Sequence, residues 1–252
     1  MFGVSFQEGS LERGFSFTGR WQNYTEALAK YDTQIVRSLL FGLIVTVATL
    51  VISYPMAYFI AQRGGRFKNL LLLLILLPFF TPFIIRTLSW EQLLADNGIL
   101  LGTLKDWGLL GDEYRVLATP TAVISGLVYN FLPFMALPLY VALERLDPRL
   151  LSAASDLYSN RRQTFLRVTL PLSLPGVFAG SLLTFIPAVG DFINAEILGG
   201  VKTTMIGNVI QREFLETFDY PEGAAISFML MAALLVGVFF YARALDTDEL
   251  TG

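Results

Sequence analysis

The sequence predicts an all-α membrane protein, a polytopic helical bundle, and three observations lead to that class. Hydrophobic residues make up 54% of the 252-residue chain and charged residues only 15%, whereas soluble domains usually carry about a quarter charged residues. The apolar residues form runs long enough to cross about 30 Å of hydrocarbon as helices. The loops between these runs also differ in charge, as they do in proteins with a fixed orientation in a bilayer.

Five segments have the length and apolar character of membrane-spanning helices. Their approximate bounds are Ile35–Ala61, Asn69–Trp90, Thr119–Leu143, Leu170–Leu198 and Ala224–Leu245. We therefore predict a transmembrane domain over residues 35–245, between an external segment (1–34) and a short tail (246–252). Prolines inside a span are tolerated where neighbouring helices satisfy the freed carbonyl groups. The spans contain Pro55, Pro78, Pro82, Pro133, Pro138 and Pro187. Two shorter helices are expected outside the bilayer, at Asn97–Leu110 and Thr203–Phe214.

Lys and Arg residues predict the orientation, because short cytoplasmic loops are enriched in them. The loop 62–68 carries three basic residues and no acid, and the segment after the third span carries five arginines. The segment after the fourth span is acidic instead. The N-terminus is therefore predicted to be external and the C-terminus cytoplasmic. An external N-terminus also suggests a sixth, more N-terminal span that is absent from this sequence.

Composition excludes several classes of function. The chain has neither Cys nor His, which removes thiolate and imidazole catalysis and the usual zinc sites. A net charge of -3 without a basic tail argues against a nucleic-acid partner. The stretch Gly64–Lys68 lacks the spacing and the Ser or Thr of a phosphate-binding loop. We predict that the chain is not an enzyme and binds no metal or cofactor.

The loop 144–176 carries the most informative pattern. Asp147 can cap a helix and Pro148 suits its first position, so a short helix is expected over Leu150–Tyr158. Ala153 and Ala154 would let another surface approach that helix closely. A short helix between two spans is well placed to contact a cytoplasmic partner. A solvated basic loop is the alternative.

This loop resembles the "EAA" loop of bacterial ABC-importer permeases. The matching residues are Ala153, Ala154, Asp156, Leu157, Phe165, Val168, Leu170, Pro171, Pro175 and Gly176. Flanking motifs resemble the spermidine/putrescine permease subgroup, and they include Leu132-Pro133-Phe134, Gly190-Asp191-Phe192 and Leu198-Gly199-Gly200. The resemblance covers the chain from about residue 35. It implies the fold of a type I ABC-importer permease, whose members of this type have six spans.

The resemblance also implies partners and a location. These are a second permease, two cytoplasmic ATP-binding subunits that use the ATP, and an external substrate-binding protein, at the plasma (inner) membrane of a bacterium. It implies that an ATPase contacts Ser152, Ala153, Ala154, Asp156, Leu157 and Tyr158. Ser152 stands where the family has Glu, and Tyr158 where it has Gly. One hypothesis is that the chain is the less regular half of a heteromeric permease pair.

The implied substrate is a polyamine or a similar small cation, and other readings stay open. They are an ABC permease for another small solute, an ion-coupled secondary transporter, and a membrane scaffold without transport. A secondary transporter is expected to have its own ion site and often an inverted repeat, and neither is visible in the sequence. A scaffold would leave the docking loop unexplained.

Polar residues within spans are candidates for the substrate path. A polycation favours carboxylates and aromatic walls, so Tyr129, Asn130, Asp191 and Glu196 are the predicted path residues. Asp191 could instead hold a helix end or form an interhelical hydrogen bond. Glu196 could be a hydrated loop acid. Arg86 is expected to be an interfacial anchor that extends towards water.

Overall fold

A computed structural model describes residues 1–10, 12–111, 113–147, 149–150, 154 and 160–249, with side chains to residue 243. A short hairpin of β1 (Gln7–Ser10) and β2 (Gly14–Phe17) pairs antiparallel, Gln7 opposite Phe17. The helices of the described ranges are α1 (Gln22–Arg63), α2 (Lys68–Leu76), α3 (Phe83–Leu94), α4 (Ile99–Asp106), α5 (Pro120–Glu144), α6 (Arg161–Val189), α7 (Ile193–Ile197), α8 (Ile206–Leu215) and α9 (Tyr220–Glu249).

Four of these helices are long and apolar enough to cross a membrane, namely α1, α5, α6 and α9. They correspond to the predicted first, third, fourth and fifth spans. The helix α1 begins well before the predicted Ile35 and is kinked at Tyr31, whose φ and ψ are −120° and 20°. Pro55 remains inside α1. The predicted bounds of the third span agree with α5 to within one residue at each end.

The predicted second span is not one helix. The segments Gly65–Phe80 and Phe83–Asp106 are bent by 94° relative to each other. The break lies at Thr81 and Pro82, which both have extended backbone. A proline ring disfavours helical geometry in the residue before it, so Pro82 explains why the chain turns here. The span therefore consists of two short helical pieces.

The predicted fourth span is helical over a different range. The helix α6 starts at Arg161, where Asn160 and Gln163 form a reciprocal capping box, and it includes a π-helical turn at Phe165–Thr169. It stops at Val189 rather than Leu198. Residues 190–192 interrupt the helix before the short α7 begins. Asp191 consequently lies in a break between two helices.

Helix α5 packs between α1 and α6 at the centre of the bundle. Small residues allow its approach to α6, because a Cβ at Gly176 would lie 2.5 Å from Ala142 Cβ and 2.8 Å from the Pro138 carbonyl oxygen. Gly180, one turn later, faces Met135 in the same way. Such small-xxx-small spacing is typical of closely packed membrane helices.

Much of the remaining apolar surface lies on α1 and α9, and α2 and α3 also expose large apolar side chains. Within the hydrophobic windows of α1 and α9 only 33% and 22% of residues are buried. Exposed side chains there include Val36, Val47 and Val51 on α1 and Leu235, Val236, Phe239 and Phe240 on α9. A helix that is apolar all round but buried on one side is suited to a lipid environment. Both expected short helices are present, as α4 and α8.

Candidate functional site

A buried polar cluster joins four parts of the bundle near the two helix breaks. The Asn130 side chain on α5 donates to Thr87 Oγ1 on α3 at 3.2 Å and to Asn194 Oδ1 on α7 at 3.0 Å. Thr87, Asn130 and Asn194 are all inaccessible to solvent. Gly126 makes room for this cluster, since a Cβ there would approach Asn194 Oδ1 to 2.9 Å.

Asp191 is the carboxylate of this cluster. Its Oδ1 accepts from the Asn194 backbone N–H at 2.8 Å, and its Oδ2 accepts from the Asn194 side chain at 3.1 Å. The side chain is 8% exposed. The structure thus brings together two predicted path residues, Asp191 and Asn130, through Asn194. Both of these contacts of Asp191 are to Asn194, three residues on, and match the helix-end role that was the alternative for Asp191. The interhelical hydrogen bonds of the cluster are those of Asn130.

The other two predicted path residues lie apart from this cluster. Tyr129 is 36% exposed and packs edge-on against Trp90, with ring centroids 5.4 Å apart. It also lines a cavity of 340 Å³ between α1, α2 and α5. Glu196 is exposed on α7 and accepts from the Asn208 side chain at 3.0 Å. Glu196 is thus a solvent-accessible acid, as the alternative interpretation of the sequence had it, and its hydrogen bond helps to attach α8 to α7.

Arg86 does not extend towards water as the sequence led us to expect. It is 8% exposed on α3, and its guanidinium lies 5.2 Å from the ring centroid of Phe79 and 5.5 Å from that of Phe83. Phe79 and Phe83 flank the break between α2 and α3, and that bend turns both rings towards Arg86. A single straight helix over residues 69–90 would have placed Arg86 at its outer end, and the 94° bend removes that position.

A second cluster, which sequence reasoning missed, joins α1 to α8 through Glu213. This side chain is 3% exposed, and it accepts from Tyr31 Oη at 2.8 Å and from Thr217 Oγ1 at 2.6 Å. Arg212 lies 3.3 Å from the same carboxylate. The amphipathic character of α8 and the acidic segment around it were visible in the sequence, but a contact across about 180 residues was not.

Opposing influences act on the pKa of Glu213. Burial by itself raises the pKa of this carboxyl. The hydrogen bonds from Thr217, Tyr31 and Arg212 lower the pKa, as does the charge of Lys30. The net result is a pKa below the ordinary value of a glutamic acid, so the group is ionised at neutral pH and holds its partners as an anion.

The opposite end of the bundle carries the basic loops. Lys68 forms an ion pair with Glu144 at 2.6 Å, which joins the start of α2 to the end of α5. An open apolar groove of 800 Å³ lies between α5 and α6 beside it and reaches Asp147 and Leu150. Asp147 accepts from the Arg149 backbone N–H at 2.8 Å, as expected of a residue that caps a following helix.

The predicted ATPase contact lies almost entirely outside the described residues. Ser152, Ala153, Asp156, Leu157 and Tyr158 belong to the ranges that the structure does not describe, and Ala154 is helical. The contact therefore stays a prediction. What the structure provides is its frame, namely the end of α5 at Glu144 and the capped start of α6 at Arg161.

Comparisons with known proteins agree with this architecture. Residues 52–247 match the family described as "Binding-protein-dependent transport system inner membrane component". The chain is 43% identical over 242 residues to the spermidine/putrescine transport system permease protein PotB of Haemophilus influenzae, covering 96% of this chain and 85% of that protein. It is 42% identical over 223 residues to PotB of Escherichia coli strain K12, covering 88% and 81%.

Solved structures share the fold at low sequence identity. A subunit of a bacterial ABC transporter involved in the import of the acidic polysaccharide alginate superposes with a TM-score of 0.69 at 19% identity, covering 87% of this chain and 82% of that one. A subunit of the MetNI methionine ABC transporter gives 0.63 at 17% identity, covering 91% and 97%. The helical bundle is that of a type I ABC-importer permease, and the chain belongs to the family of binding-protein-dependent transport system inner membrane components.

Proposed function

We propose that this chain forms part of the membrane channel of an ATP-driven importer that moves spermidine, putrescine or a similar small cation inward. The observation that carries the proposal is the 43% identity to a spermidine/putrescine permease, which extends over 96% of this chain. An identity of that size along nearly the full length supports a shared substrate class as well as a shared fold.

The proposed role of each subunit follows from what this chain contains. It has no phosphate-binding loop, so ATP is hydrolysed by separate cytoplasmic subunits. A second permease completes the channel, and an external binding protein delivers the substrate. The segment 147–160, including Ser152 and Tyr158, transmits closure of the ATPases to α5 and α6, between which it lies.

The buried polar cluster gives the channel its interior support. Asp191 and Asn130 tie α3, α5 and α7 together where two spans are broken. Broken helices in transporters occur where backbone lines a cavity or is covered by protein. Tyr129 supplies an aromatic wall beside this point, and Glu196 supplies a carboxylate at the accessible end of α7.

Affinity purification of the tagged chain, co-expressed with its partner subunits, tests the assembly. The expected result is retention of a second permease and an ATP-binding subunit. A chain that purifies alone and transports without nucleotide would instead support the ion-coupled alternative. Ser152→Glu and Tyr158→Gly, each measured for transport-coupled ATPase activity, test whether the two departures matter for coupling.

A permease for another small solute is the second candidate. The structural relatives, an alginate importer and a methionine transporter, show that one fold serves chemically different cargo. Uptake of labelled spermidine in cells that lack other polyamine importers separates the candidates. Inhibition by unlabelled putrescine, and none by methionine, is expected for the proposed substrate class.

A further inference from the structure

Arg86 is a buried cation, and no carboxylate pairs with it among the described residues. Its Nε and Nη1 atoms have no hydrogen-bond partner among the residues that the structure describes, although both are inaccessible to solvent. Burying a charge without a partner is costly. The contacts that offset this cost are the ring faces of Phe79 and Phe83, at 5.2 and 5.5 Å. Cation–π contacts are stronger when they are desolvated.

Phe79 and Phe83 belong to a larger group of rings. Phe79 packs against Phe134 with centroids 5.1 Å apart, Phe83 lies 6.2 Å from Phe131, and Phe131 lies 6.0 Å from Phe134. We call these four residues the aromatic cage. Phe79 is 38% exposed and Phe134 is 36% exposed, so one side of the cage is open.

The open side of the cage adjoins the break between α2 and α3. Thr81 and Pro82 have extended backbone in the middle of a predicted span. Irregular backbone at membrane depth is tolerated where it is covered by protein or lines a water-filled cavity, and not where it faces lipid. The cage therefore opens towards the channel interior or a partner subunit.

Aromatic cages are a general means of binding organic ammonium groups. We propose that the aromatic cage is a site for an ammonium group of the transported cation, and that Arg86 is its tethered competitor. The guanidinium lies over two of the four rings, those of Phe79 and Phe83. Two cations held against the same rings repel each other, so an entering ammonium group displaces Arg86. This inference rests on the proposed function.

Competition of this kind suits a channel. A site on a transport path has to bind its cargo well enough to admit it and weakly enough to release it. A cation attached to the wall lowers the apparent affinity for cargo by the free energy needed to remove it from the rings. It also covers the rings of Phe79 and Phe83 when no cargo is present.

Equilibrium binding of labelled spermidine to the purified permease–ATPase complex, without the external binding protein, tests the proposal. Arg86→Gln and Arg86→Met remove the charge, and with it the cost of burying an unpaired cation. Each variant is expected to bind spermidine about 5- to 30-fold more tightly, the equivalent of about 1–2 kcal/mol. Arg86→Lys retains a competing cation and is expected to stay close to the unmodified complex.

Two controls make the result specific. Arg66 also lies over a ring, 4.7 Å from the centroid of Phe67, but both residues are exposed at the basic end, so Arg66→Gln is expected to leave binding unchanged. Adding Phe79→Leu to Arg86→Gln is expected to reverse most of the gain.

Unchanged or weaker binding by both uncharged variants, each still assembled with its partners, overturns the proposal. An unmodified complex that imports no polyamine overturns the proposed function instead.

Discussion

At the scale of single residues, side-chain amides hold the interior of this bundle together. Asn194 bonds to Asp191 through two groups and accepts from Asn130, so one residue links α5 to the break after α6. Interhelical hydrogen bonds in membrane proteins contribute less than the apolar surroundings suggest, on average about 0.6 kcal/mol each. The cluster matters because its members share partners and cannot be removed independently.

Asn130→Ala tests the strength of this cluster. The substitution removes both donors that serve Thr87 and Asn194, and we expect it to lower the free energy of unfolding by about 1–2 kcal/mol. Thermal denaturation in detergent measures the effect. Ser125→Ala is the matched control on α5, because among the described residues the Ser125 hydroxyl bonds within its own helix, to the Ala122 carbonyl oxygen. Equal shifts for both variants would contradict the account.

The pH dependence of stability tests the Glu213 cluster. Because the folded-state pKa of Glu213 is lowered, its contribution is present in full above the unfolded-state pKa of about 4.3. It is lost as the pH falls through the lower, folded-state value. Glu213→Gln is therefore expected to lower the melting temperature at pH 7, by about 5 °C.

The difference between Glu213→Gln and the unmodified chain should shrink as the pH falls below about 4. Glu216→Gln is the control on the same segment, because Glu216 is exposed. Glu216→Gln is expected to leave the melting temperature unchanged at pH 7 and below about pH 4. A Glu213→Gln difference that stays constant from pH 7 down to the lowest tolerated pH would rule out the lowered pKa as its cause.

At the scale of elements, small residues decide how closely the central helices pack. Gly176 and Gly180 on α6 face α5 with no space for a side chain. The atoms that a Cβ at Gly176 would meet are Ala142 Cβ and a backbone oxygen, and neither can move without shifting α5. The close approach therefore fixes the position of α6 against α5.

Gly176→Ala is expected to destabilise the protein by about 1–3 kcal/mol, since the added methyl group overpacks the interface. Gly237→Ala serves as the control, because a Cβ at Gly237 meets no atom within 4 Å. It should be neutral or slightly stabilising. Thermal stability of the two variants, measured side by side, checks the prediction, and a Gly176→Ala variant as stable as Gly237→Ala would refute it.

The sequence predicted the long helices of this bundle but not the bend between α2 and α3. Apolar runs located the four long helices. Asp147 accepts the Arg149 backbone N–H as a cap would, but most of the helix predicted over Leu150–Tyr158 lies outside the described residues. The 94° bend was not predicted, because hydropathy averages over a window and does not register a change of direction. Arg86 was misplaced for that reason. Asp191 and Asn130 were identified as candidates, but their link through Asn194 depends on tertiary packing that residue spacing does not encode.

At the scale of the whole molecule, the charged loops separate into two ends. Lys68 and Glu144 pair at the basic end, whereas Lys30, Glu213 and Glu222 lie at the acidic end. The bundle thus has a polarity that the positive-inside rule translates into an orientation. The basic end, with the segment 147–160, is predicted to face the cytoplasm.

Single introduced cysteines can test this orientation without background, because the chain has none. Val201 is 95% exposed at the acidic end. A membrane-impermeant maleimide should therefore label the cysteine of Val201→Cys in intact spheroplasts. Arg66→Cys at the basic end should react only after the membrane is permeabilised. The reverse pattern of labelling would show that the orientation is inverted.

ATP-dependent uptake into proteoliposomes tests directly whether this chain forms part of an ATP-driven polyamine importer. The complete complex is reconstituted with ATP inside the vesicles and with the external binding protein and labelled spermidine outside. We expect spermidine to accumulate inside the vesicles, and a non-hydrolysable ATP analogue to abolish that accumulation. Accumulation without ATP, or active ATP hydrolysis without any movement of polyamine, would contradict the account.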